Sequence, residues 1–451
     1  MKLTFLGATN TVTGSRFLLE IGERKLLIDC GLFQGYKYLR QRNRDAFPVD
    51  PQAIDAIVLT HAHLDHSGYV PLLVRQGYTG PVYCTSGTAE LCELLWPDSG
   101  HLQEEEAAFL NRIGASKHKP ALPLYTRQDA VAALAFLKPQ DFEQALRIDD
   151  ISITFLRSGH LLGASLVCVE AGGKRIVFTG DVGRPHDVLM NPPVSVPPCD
   201  YLVLESTYGD RLHEAGDPRA QLKALIARVS ERGGVLLIPS FAVGRAQAMI
   251  YLLVDLMEKG EVGELPIYLD SPMAIDASRM FCRYDGEHRL SHRACDRVFA
   301  RVKYVRDVED SIALAEVRYP HVIISASGMA TGGRVLHHLK RLLPGPENVV
   351  LFVGYQAGGT RGARLVNGEQ DVRIHGREVR VRADVAVLDG LSAHADYREL
   401  LDWLSKSQGV APKTCFLVHG EESAIDGLRL RIGHTFGWHT EVPCMGQSFT
   451  L

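Results

Sequence analysis

Short apolar runs bounded by Gly, Asp or charged residues recur from the start of the chain. Their spacing predicts strands at Leu3–Leu6, Phe17–Ile21, Leu26–Ile28 and Ala56–Thr60. Helical periodicity at Glu104–Ile113 and Arg127–Leu137 interrupts them, and strands resume at Ile151–Leu156, Ser165–Glu170 and Arg175–Thr179. Beyond Asp200 the alternation becomes regular. Strand runs at Tyr201–Leu204, Val235–Pro239, Ile267–Leu269, Val322–Ser325 and Val349–Val353 alternate with helical patterns at Gln221–Ser230, Arg245–Met257 and Arg334–Leu343. Parallel strands need crossover helices, so the region from about Gly209 to Asp384 is expected to be a parallel, doubly wound sheet of its own.

Composition changes this picture little. The 451 residues allow two or three separate cores. The formal net charge of -4 argues against a protein that coats nucleic acid with its whole surface, though not against a basic channel. Basic residues do concentrate at Arg283–Arg306 and Arg361–Arg382. The nine cysteines include no CxxC pair, which excludes a zinc ribbon and predicts reduced thiols. No stretch approaches the roughly 20 apolar residues of a membrane-spanning helix. The N-terminal apolar run breaks at Gly7, so no membrane partner and a cytoplasmic location are expected.

The chemistry concentrates where strands end. The apolar run Ala56–Leu59 leads directly into Thr60-His61-Ala62-His63-Leu64-Asp65-His66. Residues two apart at a strand end face the same way, so His61 and His63 can address one metal ion. Asp65 and His66 fall one turn later and can address a second. Imidazole nitrogen and carboxylate oxygen are ligands that zinc accepts. Further donors follow other strands: His160 in Ser158-Gly159-His160, Asp181 in Thr179-Gly180-Asp181, His419 in Val418-His419-Gly420, and Asp29 after Leu26–Ile28. Each alone reads as a hydrogen-bonded structural residue. Their shared position, polar after an apolar strand, predicts a common rim.

The order Asp29, HxHxDH, His160, Asp181 and a late His resembles the metallo-β-lactamase superfamily. The resemblance implies an α/β fold, an αββα sandwich with metals at one edge. It implies one zinc on His61, His63 and His160, another on Asp65, His66 and His419, and Asp181 bridging them. Asp29 would orient a ligand such as His66 or the bound water. Further motifs resemble the β-CASP branch, which cleaves RNA and DNA: Glu205-Ser206-Thr207-Tyr208-Gly209, Pro239–Arg245, Ser325–Gly333, Gly354-Tyr355-Gln356-Ala357 and Ser392-Ala393-His394-Ala395-Asp396. They imply an inserted Rossmann-like domain at 209–384, between sandwich parts at 1–208 and 385–451. They also imply a general acid, His394, with Glu205 orienting it, beside Asp29 and Asp65 in the catalytic set.

The turn Ser327–Gly333 sits between a strand and a helix, where backbone N–H groups attract phosphate. Ser327, Gly328, Thr331 and Gly332 are the contacts expected there, unless the segment is simply a tight turn. Arg245 reads as a phosphate contact or a solvated arginine, and Tyr355 as a base-stacking or packing residue. One departure stands out. Where the family often reads GTLGR, this chain has Gly359-Thr360-Arg361-Gly362-Ala363.

These readings predict a ribonuclease with two zinc ions, or manganese, that cuts RNA internally or from the 5′ end. Single-stranded RNA is the expected partner, with DNA as the alternative; an oligomer is compatible with the sequence. A small-molecule ester or thioester hydrolase normally lacks the long insertion between Asp181 and His394. A non-catalytic RNA-binding subunit is disfavoured by the intact ligand set.

Overall fold

The computed structural model describes residues 1–114, 118–213, 217–354, 356, 358–406 and 411–451. By contacts the chain divides into two units. The first comprises Met1–His186, Pro192–Leu212 and His394–Leu451; the second comprises Asp187–Asn191 and His213–Ala393.

Two seven-stranded sheets form the first unit. One runs in the order Ser448–Thr450, Lys2–Phe5, Phe17–Ile21, Arg24–Ile28, Ala56–Val58, Val82–Thr85, Leu137–Gln140. The other runs Thr440–Glu441, Thr414–Val418, Tyr201–Glu205, Lys174–Phe178, Ser165–Ala171, Ile151–Arg157, Ala145–Ile148. Side chains alternate along each strand, so Leu3, Phe5, Phe17, Leu19 and Ile28 of one sheet meet Ile153, Phe155, Val167, Val169 and Phe178 of the other in a single buried core. The opposite face of the second sheet, with Leu166, Leu202, Leu204 and Leu417, packs on Leu400, Trp403, Leu428 and Ile432 of the helices Tyr397–Ser405 and Glu422–Phe436. The helix Ser86–Ile113 packs against the far strands of the first sheet. The layers are therefore helix, sheet, sheet, helix, the αββα sandwich.

That helix has 28 residues, although its pattern is legible only from Glu104 onward. Gly87, Pro97 and Gly100 obscure its first half. Gly100 is there for space, since a Cβ would lie 2.7 Å from the Thr126 carbonyl oxygen.

The second unit is a six-stranded, wholly parallel sheet in the order Val302–Tyr304, Ile267–Asp270, His321–Ser325, Val235–Pro239, Val349–Val353, Asp384–Leu388. The strand Asp384–Leu388 pairs with Val349–Val353, so this unit extends to Ala393 rather than ending at 384. It begins at His213 rather than 209, and it also takes in Asp187–Asn191, whose Leu189 and Met190 enter its core. Helices cover both faces. Arg245–Glu258, after the strand Val235–Pro239, lies on one; Val335–Leu342, after His321–Ser325, lies on the other. These two strands are neighbours whose connections leave to opposite sides, which makes a crevice at their carboxyl ends. Cys282 and Cys295 of this unit form a disulfide, in contrast to the thiols expected from the sequence, while the other seven cysteines are free. Among the described residues no helix is long and apolar enough to cross a membrane.

Asp270 ends the strand Ile267–Asp270 and is fully buried. It accepts hydrogen bonds from Arg334 (2.7 Å) and Ser311 (2.5 Å), and His338 Nε2 lies 2.6 Å away. Burial alone would raise its pKa. The bonds from His338, Ser311 and Arg334 outweigh burial and hold it below the ordinary carboxylate value. A depressed folded pKa stabilises above the unfolded value and loses that contribution as pH falls through the folded one. Asp270→Ala would leave buried donors unpaired, at a cost of about 3 kcal/mol. Thermal unfolding should show this as an earlier transition, with the metal content of the folded protein unchanged.

Candidate metal centre

The sequence-predicted donors all follow strand ends of the first unit. The helix Leu64–Ser67 starts right after His63 and carries Asp65 and His66. Its turn is framed by backbone: Ser15 donates to Asp65 O (2.8 Å), Cys30 to His66 O (2.7 Å) and Leu32 to Leu64 O (2.8 Å). Gly31 is required in this frame, because a Cβ there would lie 1.6 Å from Asp65 O. Asp29 and His419 adopt left-handed backbone, with φ of 56° and 53°. Such conformations cost energy in non-Gly residues and mark positions held by their surroundings.

His61, His63, His160 and Asp181 converge on one point. His61 Nε2 and His160 Nε2 lie 3.2 and 3.3 Å from His63 Nδ1, and each lies 3.4 Å from Asp181 Oδ2. Donors about 2 Å from a tetrahedral zinc are separated by about 3.3 Å. These four separations already have that spacing.

A second group is formed by Asp65, His66 and His419. His66 Nε2 is 3.1 Å from His419 Nε2, which is 3.5 Å from Asp65 Oδ2. The other oxygen of Asp181, Oδ1, lies 3.2 Å from His66 Nε2 and is buried without a hydrogen bond. Asp181 thus turns one oxygen to each group. An orphaned buried carboxylate oxygen among imidazole nitrogens fits a cation and fits little else.

The electrostatics of the first group agree with that fit, whereas in the second group burial of His66 is outweighed by Asp181 and Asp29, which hold it well above its ordinary value. Burial, with the neighbouring His66 charge, pushes His61 down to about 3, and burial takes His63 to about 4. His160 is lowered for the same reason. Neutral imidazoles have lone pairs to offer. Asp181 lies well below its ordinary value, because the surrounding histidines outweigh its burial.

Outer contacts fix which nitrogen the rings of His61, His66 and His419 present. His66 Nδ1 is 2.7 Å from Asp29 Oδ2, leaving Nε2 inward. Asp29 is held by the Thr60 amide (2.7 Å) and hydroxyl (2.8 Å). The Thr60 hydroxyl also lies 3.1 Å from His61 Nδ1, and Thr207 Oγ1 lies 3.1 Å from His419 Nδ1. Sequence reasoning missed both threonines. The available signal was a hydroxyl beside a donor, as in Thr60-His61.

His394 sits at the same rim. Its Nδ1 is 3.1 Å from both oxygens of Glu205, and its Nε2 is 3.8 Å from Asp181 Oδ2. Glu205 is further fixed by the Val182 amide at 2.6 Å. The His394 segment is held by Ala395 N–H to Val182 O (2.9 Å), by the Asp396 cap on the helix Tyr397–Ser405, and by an Arg184–Glu399 ion pair at 3.0 Å. Burial would lower His394, but Glu205 and Asp181 raise it to about 9.

The other predicted residues lie in the second unit. Ser327 Oγ accepts the Thr331 amide at 3.1 Å and closes the turn that holds Gly332. Gly328 packs on Phe241, where a Cβ would meet the ring at 2.8 Å. Arg245 begins the helix Arg245–Glu258 and lies against Gly354. These residues share the crevice between the two neighbouring parallel strands. Tyr355 lies outside the described residues.

Comparison with known proteins agrees with this geometry. The family model of the Metallo-beta-lactamase superfamily matches residues 12–228, the Beta-Casp domain residues 246–365, and a Zn-dependent metallo-hydrolase RNA specificity domain residues 378–443. The chain belongs to the Beta-Casp branch of the metallo-β-lactamase superfamily and is a metal-dependent hydrolase that binds divalent metal. It is 39% identical to Ribonuclease TTHA0252 of Thermus thermophilus, over 94% of each chain. It is 33% identical to Transcription termination factor FttA of Methanosarcina mazei, over 94% of this chain and 67% of that one. A solved structure of a protein of unknown function from Enterococcus faecalis V583 shares the fold, with a TM-score of 0.57 and 13% identity over 100% of this chain and 99% of that one.

Asp29→Ala would free His66 to rotate and present the wrong nitrogen. Metal affinity, measured by competition with a chelator, is expected to fall about 10- to 100-fold. Circular dichroism should stay unchanged.

Proposed function

We propose that this chain is a zinc-dependent ribonuclease that hydrolyses phosphodiester bonds of single-stranded RNA. The observation that carries the reading is Asp181, with one oxygen turned to each of two donor groups and His394 held beside it by Glu205. His61, His63, His160 and Asp181 would hold one zinc; Asp65, His66, His419 and Asp181 the other, with manganese as the alternative occupant. A bound pair of such ions supplies Lewis acidity toward a phosphodiester and its attacking water.

The remaining work falls to the protein. His394 is the candidate general acid. Glu205 ties down Nδ1, so Nε2 faces the donor groups and can deliver a proton to the leaving oxygen. Asp29 fixes the tautomer of His66 through Nδ1. Ser327, Gly328, Thr331, Gly332 and Arg245 gather at the crevice of the parallel sheet, where phosphate is commonly received. The names of the relatives, a ribonuclease and transcription termination factors, support RNA as the polymer. So does the RNA specificity match over 378–443, which contains both His394 and His419.

Elemental analysis should find about two zinc ions per chain, and His160→Ala and His419→Ala should each lose about one. Asp181→Ala should lose more than either. With 5′-labelled RNA and DNA of matched sequence, the wild type should cleave RNA. His394→Ala should lower kcat by about 10²- to 10⁴-fold with metal content intact. A loss of zinc in that variant would make His394 a ligand instead. Absence of cleavage of either polymer by the two-zinc protein would favour small ester or thioester substrates.

A further inference from the structure

The second unit carries a group of basic side chains that the metal centre does not use. The helix Val335–Leu342 follows the Ser327–Gly333 turn and exposes His337 and Lys340, one turn apart. The hairpin of Asp371–Ile374 and Arg377–Arg380 buries Val372, Ile374 and Val379 in the same core as Val335, Leu339 and Leu342. Its two-residue turn places His375 at φ 47° and Gly376 at φ 78°, the pair of positive angles such tight hairpins require. The His375 ring thereby comes to 4.5 Å from the His337 ring.

Arg361 joins this group. It opens the helix Arg361–Val366 and is partly buried. Its Nε donates to Arg373 O at 3.0 Å and its Nη1 to Ala330 O at 2.5 Å. One guanidinium therefore ties the hairpin to the Gly-rich turn.

The cluster contains no compensating acid. Burial, then His337, Lys340 and Arg361, hold His375 below its ordinary value. Burial and Arg364 do the same to Arg361. The carboxylates on this face are engaged elsewhere: Glu369 with Arg364 at 2.5 Å and Asp371 with Arg380 at 2.7 Å, while Glu378 stands opposite Arg373 in the hairpin. Among the described residues none of His337, Lys340, Arg361 and His375 pairs with a carboxylate. Gathering basic groups without an acid is unfavourable unless an anion completes the set.

We propose that His337, Lys340, Arg361 and His375 form a contact surface for the phosphate backbone of the RNA substrate, extending the Ser327–Gly333 turn. This rests on the ribonuclease reading above. Continuity with the crevice of the parallel sheet favours a nucleic-acid strand over an acidic protein.

The test is a triple variant, His337→Gln/Lys340→Gln/His375→Asn, which removes the exposed bases. Asn tolerates the left-handed turn, so the hairpin is kept. The zinc-loaded protein would be assayed on a single-stranded oligouridylate over a range of salt concentrations, and on bis(p-nitrophenyl) phosphate, which has a single phosphate. KM for the oligouridylate is expected to rise about 10-fold with kcat unchanged, and the slope of log affinity against log salt to shrink by about 0.7 for each phosphate that the surface no longer neutralises. Hydrolysis of the small diester should match the wild type. Arg361→Leu should move KM in the same direction. Wild-type KM and salt slope in both variants would overturn this surface and leave the ribonuclease reading standing. A fall in kcat on both substrates would instead mark a structural role and also overturn it. If the wild type hydrolyses the diester but cleaves no RNA, the ribonuclease reading fails and this proposal fails with it.

Discussion

The Asp181 carboxylate is the constraint around which the first unit is organised. It is buried and surrounded by imidazoles from four separate segments, and its two oxygens face different groups of them. A carboxylate in that place, without hydrogen bonds to one of its oxygens, is costly in an otherwise apolar sandwich. Its cost is offset only if positive charge comes to it. The rest of the rim can be understood as the means of keeping six further donors near that oxygen pair.

The sandwich supplies this without specialised loops. Parallel and antiparallel strands of both sheets end at the same edge, where His160, Asp181 and His419 each come from a separate turn and the His61–His66 segment supplies the other four donors. The apolar alternation that builds the core therefore also sets the direction of each ligand. Rigidity comes from backbone bonds, such as those between the Cys30–Leu32 segment and the His66 turn, rather than from the donors themselves. The second unit follows another logic. Its sheet is wholly parallel and covered on both faces, so its polar residues gather at the carboxyl ends of two neighbouring strands.

Much of this was legible in the sequence because it is periodic. The strands Phe17–Ile21, Val235–Pro239 and Val349–Val353 have the bounds read from their apolar runs. The donors were legible because each is polar directly after such a run. What escaped is proximity that no pattern encodes. Thr60 and Thr207 are ordinary threonines until folding sets their hydroxyls beside imidazole nitrogens. Gly100 carries no periodic signal, and only the fold shows that it marks a close approach of another segment. The strand Asp384–Leu388 looked like a return to the first domain, and only its pairing assigns it to the second. The Cys282–Cys295 disulfide was invisible for the same reason, since nearness in space is a tertiary property.

The separation of donors along the chain also bears on synthesis. His66 and His419 face each other across 353 positions, and the strand Ser448–Thr450 pairs with Lys2–Phe5. The whole second unit must leave the ribosome before the first can close. A chain that stops before residue 394 carries the HxHxDH turn but neither His394 nor His419. The donor set is therefore complete only in a copy whose second unit has already been made.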